Sequence, residues 1–374
     1  MVSVLNVETV DRSWLRAGTA VAAVGWGANQ FAPLLLLYRS RLGLSAATVQ
    51  ATFGLYALGL MPALIAGGLL ADRYGRRTVL LPALIASLAA GALLIAGGQT
   101  PGLLFAGRLI AGIASGTAFS SGAAWVKELA PPGTGARRLT IAMTTGFAAG
   151  PLVAGMLAQW APLPTVLPYL PQLALALIAI PLVLRTRETA TGQRGADQPA
   201  AGLHLSGLRN RDFRRVIVPL APWVFGSASI ALAFLPGFVP GSMVMGAITA
   251  TLTALAGIAI QPLARRLGRI ALRRSAMAIV VAGLLIASIA TQPAVIIVAA
   301  LVLGAGYGAC LVCGLLEVQR IAAPAELAGL TAIYQAISYL GFAAPFLLTF
   351  IDPTVGLLIA AALAALTLLW TAKK

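Results

Sequence analysis

Polar and apolar residues neither alternate nor share one helical stripe in this chain. Instead, apolar residues continue for about 17–25 positions at a time, enough for a helix to cross a hydrocarbon layer about 30 Å thick. Twelve such runs can be drawn, at 15–38, 47–71, 78–98, 101–126, 139–160, 166–184, 216–239, 242–264, 275–291, 294–316, 327–350 and 354–372. Most connections are short and rich in glycine, proline or arginine. The exception is 185–215, with seven arginines and Gly192, Gly195, Pro199 and Gly202. That pattern predicts an all-α membrane protein of twelve transmembrane helices in two six-helix bundles, 1–184 and 216–374, with 185–215 as linker. Within the linker, Leu203, His204, Leu205 and Leu208 followed by Arg209, Arg211, Arg214 and Arg215 predict a short amphipathic helix at the membrane surface. The single histidine, His204, falls there.

Composition agrees: 59% of residues are apolar, only 10% are charged and mean hydropathy is +0.93, against about 25% charged in soluble domains. A net charge of +16 would suit nucleic acid, but its placement argues against that partner. With the turn at Asp72 and every alternate loop on one side, 23 of the 26 Lys and Arg fall on that side, leaving Arg39 and Arg41 opposite and Arg108 inside a run. Such asymmetry marks the cytoplasmic side and attracts anionic lipid headgroups. It predicts a multi-pass protein of a plasma membrane, in keeping with a bacterial cytoplasmic membrane. An even number of spans places both termini in the cytoplasm, as Lys373 and Lys374 suggest. Residues 1–14 include Glu8, Asp11 and Arg12 and lack the apolar core of a cleavable signal.

Catalytic patterns are missing. Cys310 and Cys313 lie in an apolar run without a histidine or acid to complete a metal site, and they read as packing residues. No phosphate-binding loop or histidine triad is present, and Gly304-Ala305-Gly306 lies in an apolar run. The expectation is a non-enzyme without cofactor or metal, monomeric, with a small molecule as substrate.

The two halves repeat weakly. Ala71-Asp72-Arg73-Tyr74-Gly75-Arg76 aligns with Ala264-Arg265-Arg266-Leu267-Gly268-Arg269 at an offset of 193, and Gly112, Gly116 and Gly122 with Gly304, Gly308 and Gly314 at 192. Related bundles with a site between them suit a transporter that exposes the site to each side in turn. Because Arg265 stands where Asp72 would repeat, an asymmetric charge gate is expected.

The turn Gly68-Leu69-Leu70-Ala71-Asp72-Arg73-Tyr74-Gly75-Arg76-Arg77 places one acid among three bases, with a glycine where the turn requires it. It resembles the loop between helices 2 and 3 of the major facilitator superfamily at each fixed position of that pattern. Arg108 to Gly116, with Gly112 between, resembles the family's helix-4 pattern. Gly146, Gly150, Pro151, Ala154 and Gly155 resemble the helix-5 pattern of its exporters, with alanine at one of the paired glycines. Glu128 and Pro131, followed by Arg137 and Arg138, resemble its helix 4–5 loop. The resemblance implies the two-bundle fold and alternating access, with Asp72, Arg73, Gly75, Arg76 and Glu128 in a cytoplasmic gate and Gly150 and Pro151 as a conformational element.

Arg108 is the basic residue deep in a run, and such a residue is costly unless paired or functional. Two roles fit: substrate binding or coupling, which the resemblance implies, or a guanidinium holding the bundle through first-run amides and backbone carbonyls. Asn29 and Gln30 occupy the first run where proton-driven relatives carry a carboxylate. No acid lies near the middle of any run; Glu128 and Glu317 lie at run ends, and Glu317 is the remaining coupling candidate. Polar and aromatic residues at mid-run predict the cavity lining: Trp26, Asn29, Gln30, Tyr56, Trp223, Tyr307, Gln335, Ser338 and Tyr339.

The first expectation is therefore a secondary transporter exporting small, largely apolar compounds, with or without proton coupling. The alternatives are a facilitator or importer of a sugar, organic anion or other metabolite, and a lipid flippase. Orientation can be checked directly. A cysteine at Thr134 is expected to resist impermeant thiol reagents added outside intact cells, and one at Thr100 to react. Labelling of Thr134→Cys from outside would reverse the orientation.

Overall fold

The computed structural model of the protein describes residues 12–189, 206–239, 242–323 and 326–372. Among these, twelve helices are long and apolar enough to cross a membrane: α1 Ser13–Leu42, α2 Ala46–Tyr74, α3 Arg76–Ala96, α4 Pro101–Leu129, α5 Gly135–Trp160, α6 Leu167–Leu184, α7 Phe213–Phe238, α8 Met243–Ala264, α9 Arg269–Ser288, α10 Pro293–Ile321, α11 Gly329–Leu348 and α12 Pro353–Thr371. They form two apolar cores: one in α1–α6 that extends across the seam to Ala228, Leu232, Ala233, Ala250 and Phe342, and one in α7–α12. The face carrying the Asp72 turn is called the basic face below.

Local chemistry sets the boundaries. Gly43, at φ 62°, closes α1, and the Ser45 hydroxyl accepts from Thr48 N (3.0 Å) to cap α2. Ser242 caps α8 in the same way, accepting from Met245 N at 3.1 Å. Prolines interrupt several spans. Pro33 breaks α1 at residues 30–34 into a short 3-10 turn. In α7, π-helical stretches at Phe213–Ile217 and Ile230–Phe234 accompany Pro219, Pro222 and Pro236. The Arg215 carbonyl, which Pro219 cannot satisfy, accepts from the Trp370 indole at 3.1 Å.

Glycines set the helix crossings, and the sequence repeat reappears as matched contacts. A Cβ on Gly112 would lie 2.0 Å from Tyr56 O, and one on Gly116 2.4 Å from Leu60 O, so α4 lies directly on the α2 backbone. Gly304 and Gly308 meet Thr253 O and Gly257 O of α8 at 2.5 and 1.9 Å in the same sense. Likewise α5 crosses α1 at Gly146, and α11 crosses α7 at Gly341.

The halves meet from the face opposite the basic one to the membrane middle. Gln50 Nε2 donates to Ala233 O (2.8 Å), Met243 N to Gln159 Oε1 (3.0 Å) and Thr251 Oγ1 to Ala148 O (3.1 Å). Gly155 packs on Ala247 and Met243, while Phe53 stacks on Phe342 with centroids 5.0 Å apart.

Two sequence expectations change. Span eleven is interrupted by a 3-10 turn at Leu340–Ala343. In the linker, Ser206–Arg209 is one 3-10 turn rather than part of an amphipathic helix, and Leu203, His204 and Leu205 lie outside the described residues. The terminal lysines lie outside as well.

Because the α4/α2 and α10/α8 crossings have no room for a side chain, Gly112→Leu and Gly308→Leu are expected to prevent a monodisperse, folded preparation. Overpacking of this kind costs about 1–3 kcal/mol or more. Gly102→Ala, where a Cβ meets nothing within 4 Å, is expected to leave the melting temperature in detergent unchanged.

Candidate functional site

Two charge clusters and one aromatic cluster stand out. On the basic face of the first half, Arg76 lies between two carboxylates: Nη1 donates to Asp72 (2.6 Å) and Nη2 to Glu128 (2.9 Å). A third acid, Glu188, caps α3: its two carboxylate oxygens accept from Arg76 N and Arg77 N, each at 2.9 Å. Negative charge at a helix N-terminus is favourable because the first N–H groups lack partners. Gly75, at φ 100°, turns the chain here, and a Cβ on it would lie 2.7 Å from the Glu188 carboxylate. Thr189 donates its hydroxyl to Glu128, Trp125 Nε1 donates to Arg187 O and Arg16 to Arg185 O. The first linker residues thus tie together the basic-face ends of α1, α3, α4 and α6. Arg73, expected in this gate, stays outside it and lies over the neighbouring Tyr74 ring at 5.2 Å.

The second half builds its cluster from different positions. Glu317 is 4% exposed and accepts from Arg269 (2.7 Å), Arg273 (2.6 Å) and Arg320 (3.1 Å). Asp212, just before α7, accepts from Arg269 (3.2 Å) and from Arg320. Arg273, 1% exposed, also donates to Thr371 O at the end of α12. The two clusters therefore differ in position, with Asp212 and Glu317 supplying the carboxylates that the turn at Arg265 lacks. Glu317 cannot serve as a free cavity acid while three guanidinium groups hold it. Outside the spans, the Asp212 carboxyl is held below the usual carboxylate range, first by the Arg320 hydrogen bond and then by the Arg320 and Arg269 charges, against partial burial that raises it.

Arg108 is fully buried. Its guanidinium lies 4.6 Å from both the Phe31 and Tyr56 ring centroids and 5.8 Å from that of Phe53, and donates to Ala28 O (3.4 Å) and Phe53 O (3.3 Å). Ala28 O lies in the last turn before α1 breaks after Asn29, where carbonyls lack helical partners. Rings and carbonyls, rather than the Asn29 and Gln30 amides, surround the charge. Cation–π contacts are worth about 2 kcal/mol or more when desolvated, and two at close range offset much of the burial cost.

Tyr56 also joins the aromatic cluster. Phe225 stacks on Tyr339 at 4.1 Å and lies near Tyr307 (5.7 Å) and Phe342 (5.7 Å), and Phe342 reaches Phe53 (5.0 Å) and Tyr56 (6.0 Å) across the halves. Phe53, Phe225 and Phe342 were not singled out by sequence because phenylalanine is unremarkable in an apolar run. Trp26 and Asn29 are part-exposed on α1, and the Trp26 Nε1 donor is buried without a partner among the described residues. Gln335 is part-exposed on α11, while Ser338 is buried and bonded to Tyr334 O.

Two expected lining residues point elsewhere. Gln30 faces into the first half, sharing a pocket of about 10 Å³ with Ser87, Ser115 and Gln172; the Gln30 and Gln172 Oε1 acceptors are unpartnered there, which is room for about one water. Trp223 donates to Thr367 on α12, away from the aromatic cluster. Gly150 packs on the Trp26 backbone and Pro151 is buried beside it, so both serve the α5/α1 crossing, whereas Gly155 lies at the seam between halves.

A family model described as Major Facilitator Superfamily matches residues 17–346. No curated protein matches the chain in sequence. Among solved structures, the nucleoside transporter NupG is similar at TM-score 0.74 and 14% identity, over 96% of this chain and 98% of that one. A D-xylose-proton symporter is similar at TM-score 0.73 and 17% identity, over 96% of each chain. The inward open conformation of the xylose transporter XylE from E. coli is similar at TM-score 0.72 and 17% identity, over 96% of this chain and 94% of that one. At these identities the likeness shows the fold.

Two outcomes test the clusters. Gly75→Ala is expected to lose about 1–2 kcal/mol through its positive φ and through the blocked Glu188 cap, seen as a lower melting temperature. The depressed Asp212 pKa means that its stabilisation is complete above the ordinary carboxylate range and disappears as pH falls through the folded value. Asp212→Asn is therefore expected to lower the melting temperature at neutral pH and to shrink its fall on acidification. An unchanged acid profile would remove Asp212 from the cluster.

Proposed function

The chain belongs to the major facilitator superfamily, and on that premise we propose that it moves small, uncharged, partly polar organic solutes across the membrane by alternating access. The observation that carries this reading is the aromatic cluster where the halves meet. Phe225, Tyr307, Tyr339 and Phe342 come from the second half, Phe53 and Tyr56 from the first, and no carboxylate lies among them. Flat aromatic faces stack on a nucleobase or on the C–H face of a sugar, and the part-exposed amides of Asn29 and Gln335 are the hydrogen-bonding groups we assign to the solute.

Charge narrows the choice. A permanent cation would need a buried counter-charge, and the membrane acids Asp72, Glu128 and Glu317 are each bonded to arginine at the basic-face ends. Fully enclosed Arg108 has no surface for an anion in this conformation, and we assign it to holding α1 and α2 around α4. The absence of a mid-membrane acid favours facilitated or exchange transport over proton antiport. The excess of arginine on the basic face supports a cytoplasmic orientation for that face and both termini, and the hydrogen bonds and ring stack that join the halves on the opposite face and in the membrane middle favour an inward-facing state.

Export of apolar compounds is the second reading. It rests on the helix-5 pattern, although packing against α1 and α8 accounts for those glycines in full. The solved relatives are named for a nucleoside and for D-xylose, both uncharged and hydroxyl-rich, and these set the first compounds to assay.

Counterflow in proteoliposomes without a pH gradient is expected with a neutral sugar or nucleoside and not with a quaternary ammonium compound. Tyr339→Ala should weaken half-saturation by about tenfold, the worth of a lost stacking contact. Transport restricted to lipophilic compounds, unaffected by Tyr339→Ala, would move the assignment to export.

A further inference from the structure

Helices α8 and α9 part on the basic face. In the first half α2 continues as a helix to Tyr74, whereas α8 is interrupted at Ile260, before Gln261-Pro262, and ends at Ala264. The result is a cleft of about 490 Å³, walled by Ile260, Leu263 and Leu267 on one side and Leu272, Ser275 and Ile279 on the other, with α10 behind. All ten of its lining residues are apolar except Ser275. Ile260 lies nine positions after Thr251, about half a turn around the helix, and Thr251 faces the seam with α5. The cleft therefore opens to the hydrocarbon of the membrane rather than to the aromatic cluster.

Its mouth is cationic. Arg265 and Arg266 lie between the lining residues Ala264 and Leu267, and both are exposed. The nearest carboxylates, Asp212 and Glu317, are bonded to Arg269, Arg273 and Arg320, three cations against two anions. Among the described residues no carboxylate bonds Arg265 or Arg266.

We propose that this cleft binds one anionic glycerophospholipid, with an acyl chain along Ile260, Leu263 and Ile279 and the headgroup phosphate between Arg265 and Arg266. An apolar slot continuous with the bilayer and ending at two unneutralised guanidinium groups matches an acyl chain joined to a phosphate. Arginine's planar fork suits phosphate oxygens. The first half lacks the equivalent site, because Asp72 stands where Arg265 does and α2 and α3 pack directly.

The test uses the full chain in phosphatidylcholine vesicles, with a bimane label on Ala271→Cys. Ala271 is exposed, one turn before Ser275, so the label flanks the cleft without filling it; Cys310 and Cys313 are buried and stay unlabelled. Brominated phosphatidylglycerol is expected to quench the label at a mole fraction about fivefold or more below that needed with brominated phosphatidylcholine, since each arginine at an anionic surface contributes about fivefold. The double variant Arg265→Gln/Arg266→Gln should lose this preference yet still be quenched. A label on Ile289→Cys, exposed at the other end of α9, should show no preference. Ala282→Phe, which fills the cleft, should abolish the preference while the melting temperature is kept. Equal quenching by both lipids overturns the proposal, as does a preference that survives in the double variant or appears equally at Ile289→Cys. Quenching by neither lipid, as when a second copy covers the cleft, also overturns it.

Discussion

A guanidinium group brought into hydrocarbon must be solvated by the protein itself, and this requirement organises the structure more than any other. Arg108, Arg273 and Arg76 meet it in three ways. Arg108 relies on two facing aromatic rings and two carbonyls, one of them in the last turn before the break in α1. Arg273 uses the buried Glu317 carboxylate together with the C-terminal end of α12, where carbonyls and helix dipole both favour a cation. Arg76, closer to the surface, collects Asp72 and Glu128. Each solution draws partners from several helices. Removing a single arginine would leave buried acceptors or carboxylates unpaired, and unpaired groups cost more than the bonds contribute.

The same requirement explains why the halves are alike in shape but not in sequence. Crossing geometry is repeated at the Gly112/Gly304 and Gly116/Gly308 pairs, since a backbone contact as close as that at Gly112 or Gly308 admits no other residue. Charge geometry is repeated only in outcome. Where the first half has Asp72 in the turn, the second has Arg265 and takes its carboxylates from before α7 and from the end of α10. Backbone contacts constrain identity, whereas charge neutrality constrains only the sum.

Much of this was legible in the sequence. Twelve spans follow from apolar run length, and the Asp72–Arg76–Glu128 grouping follows from the resemblance of the Asp72 turn and the Glu128 loop to those of the family. Glu188 was not legible: its value depends on the fold returning residue 188 to the turn at Gly75, and nothing in the spacing says so. The Arg108 cage was half legible, because the need for partners was evident while the rings of Phe31 and Tyr56 come from two other helices. Mid-run polarity could not distinguish residues facing the seam from those facing inward. Asn29 and Gln30 are adjacent, about 100° apart on a helix, and only the packing of α1 against α4 and α6 puts Gln30 into the pocket with Gln172.

The distribution of strong and weak contacts bears on the alternating access proposed for the two halves. The ion clusters on the basic face each lie within one half together with its adjoining linker residues, so they tie each half to itself rather than to the other. What joins the halves is weaker: hydrogen bonds at Gln50, Thr251 and Met243, the packing at Gly155 and the stack of Phe53 on Phe342. Each such bond is worth about 1 kcal/mol net and each ring pair about 0.5–1.5 kcal/mol. The three hydrogen bonds and the ring pair come to a few kcal/mol, close to the 1–3 kcal/mol that a ligand's differential affinity supplies. Phe342 stands in both ledgers, as part of the seal between the halves and as a wall of the aromatic cluster. A solute that stacks there competes with Phe53 for the same face, and so gives back on binding part of what opening the seal costs.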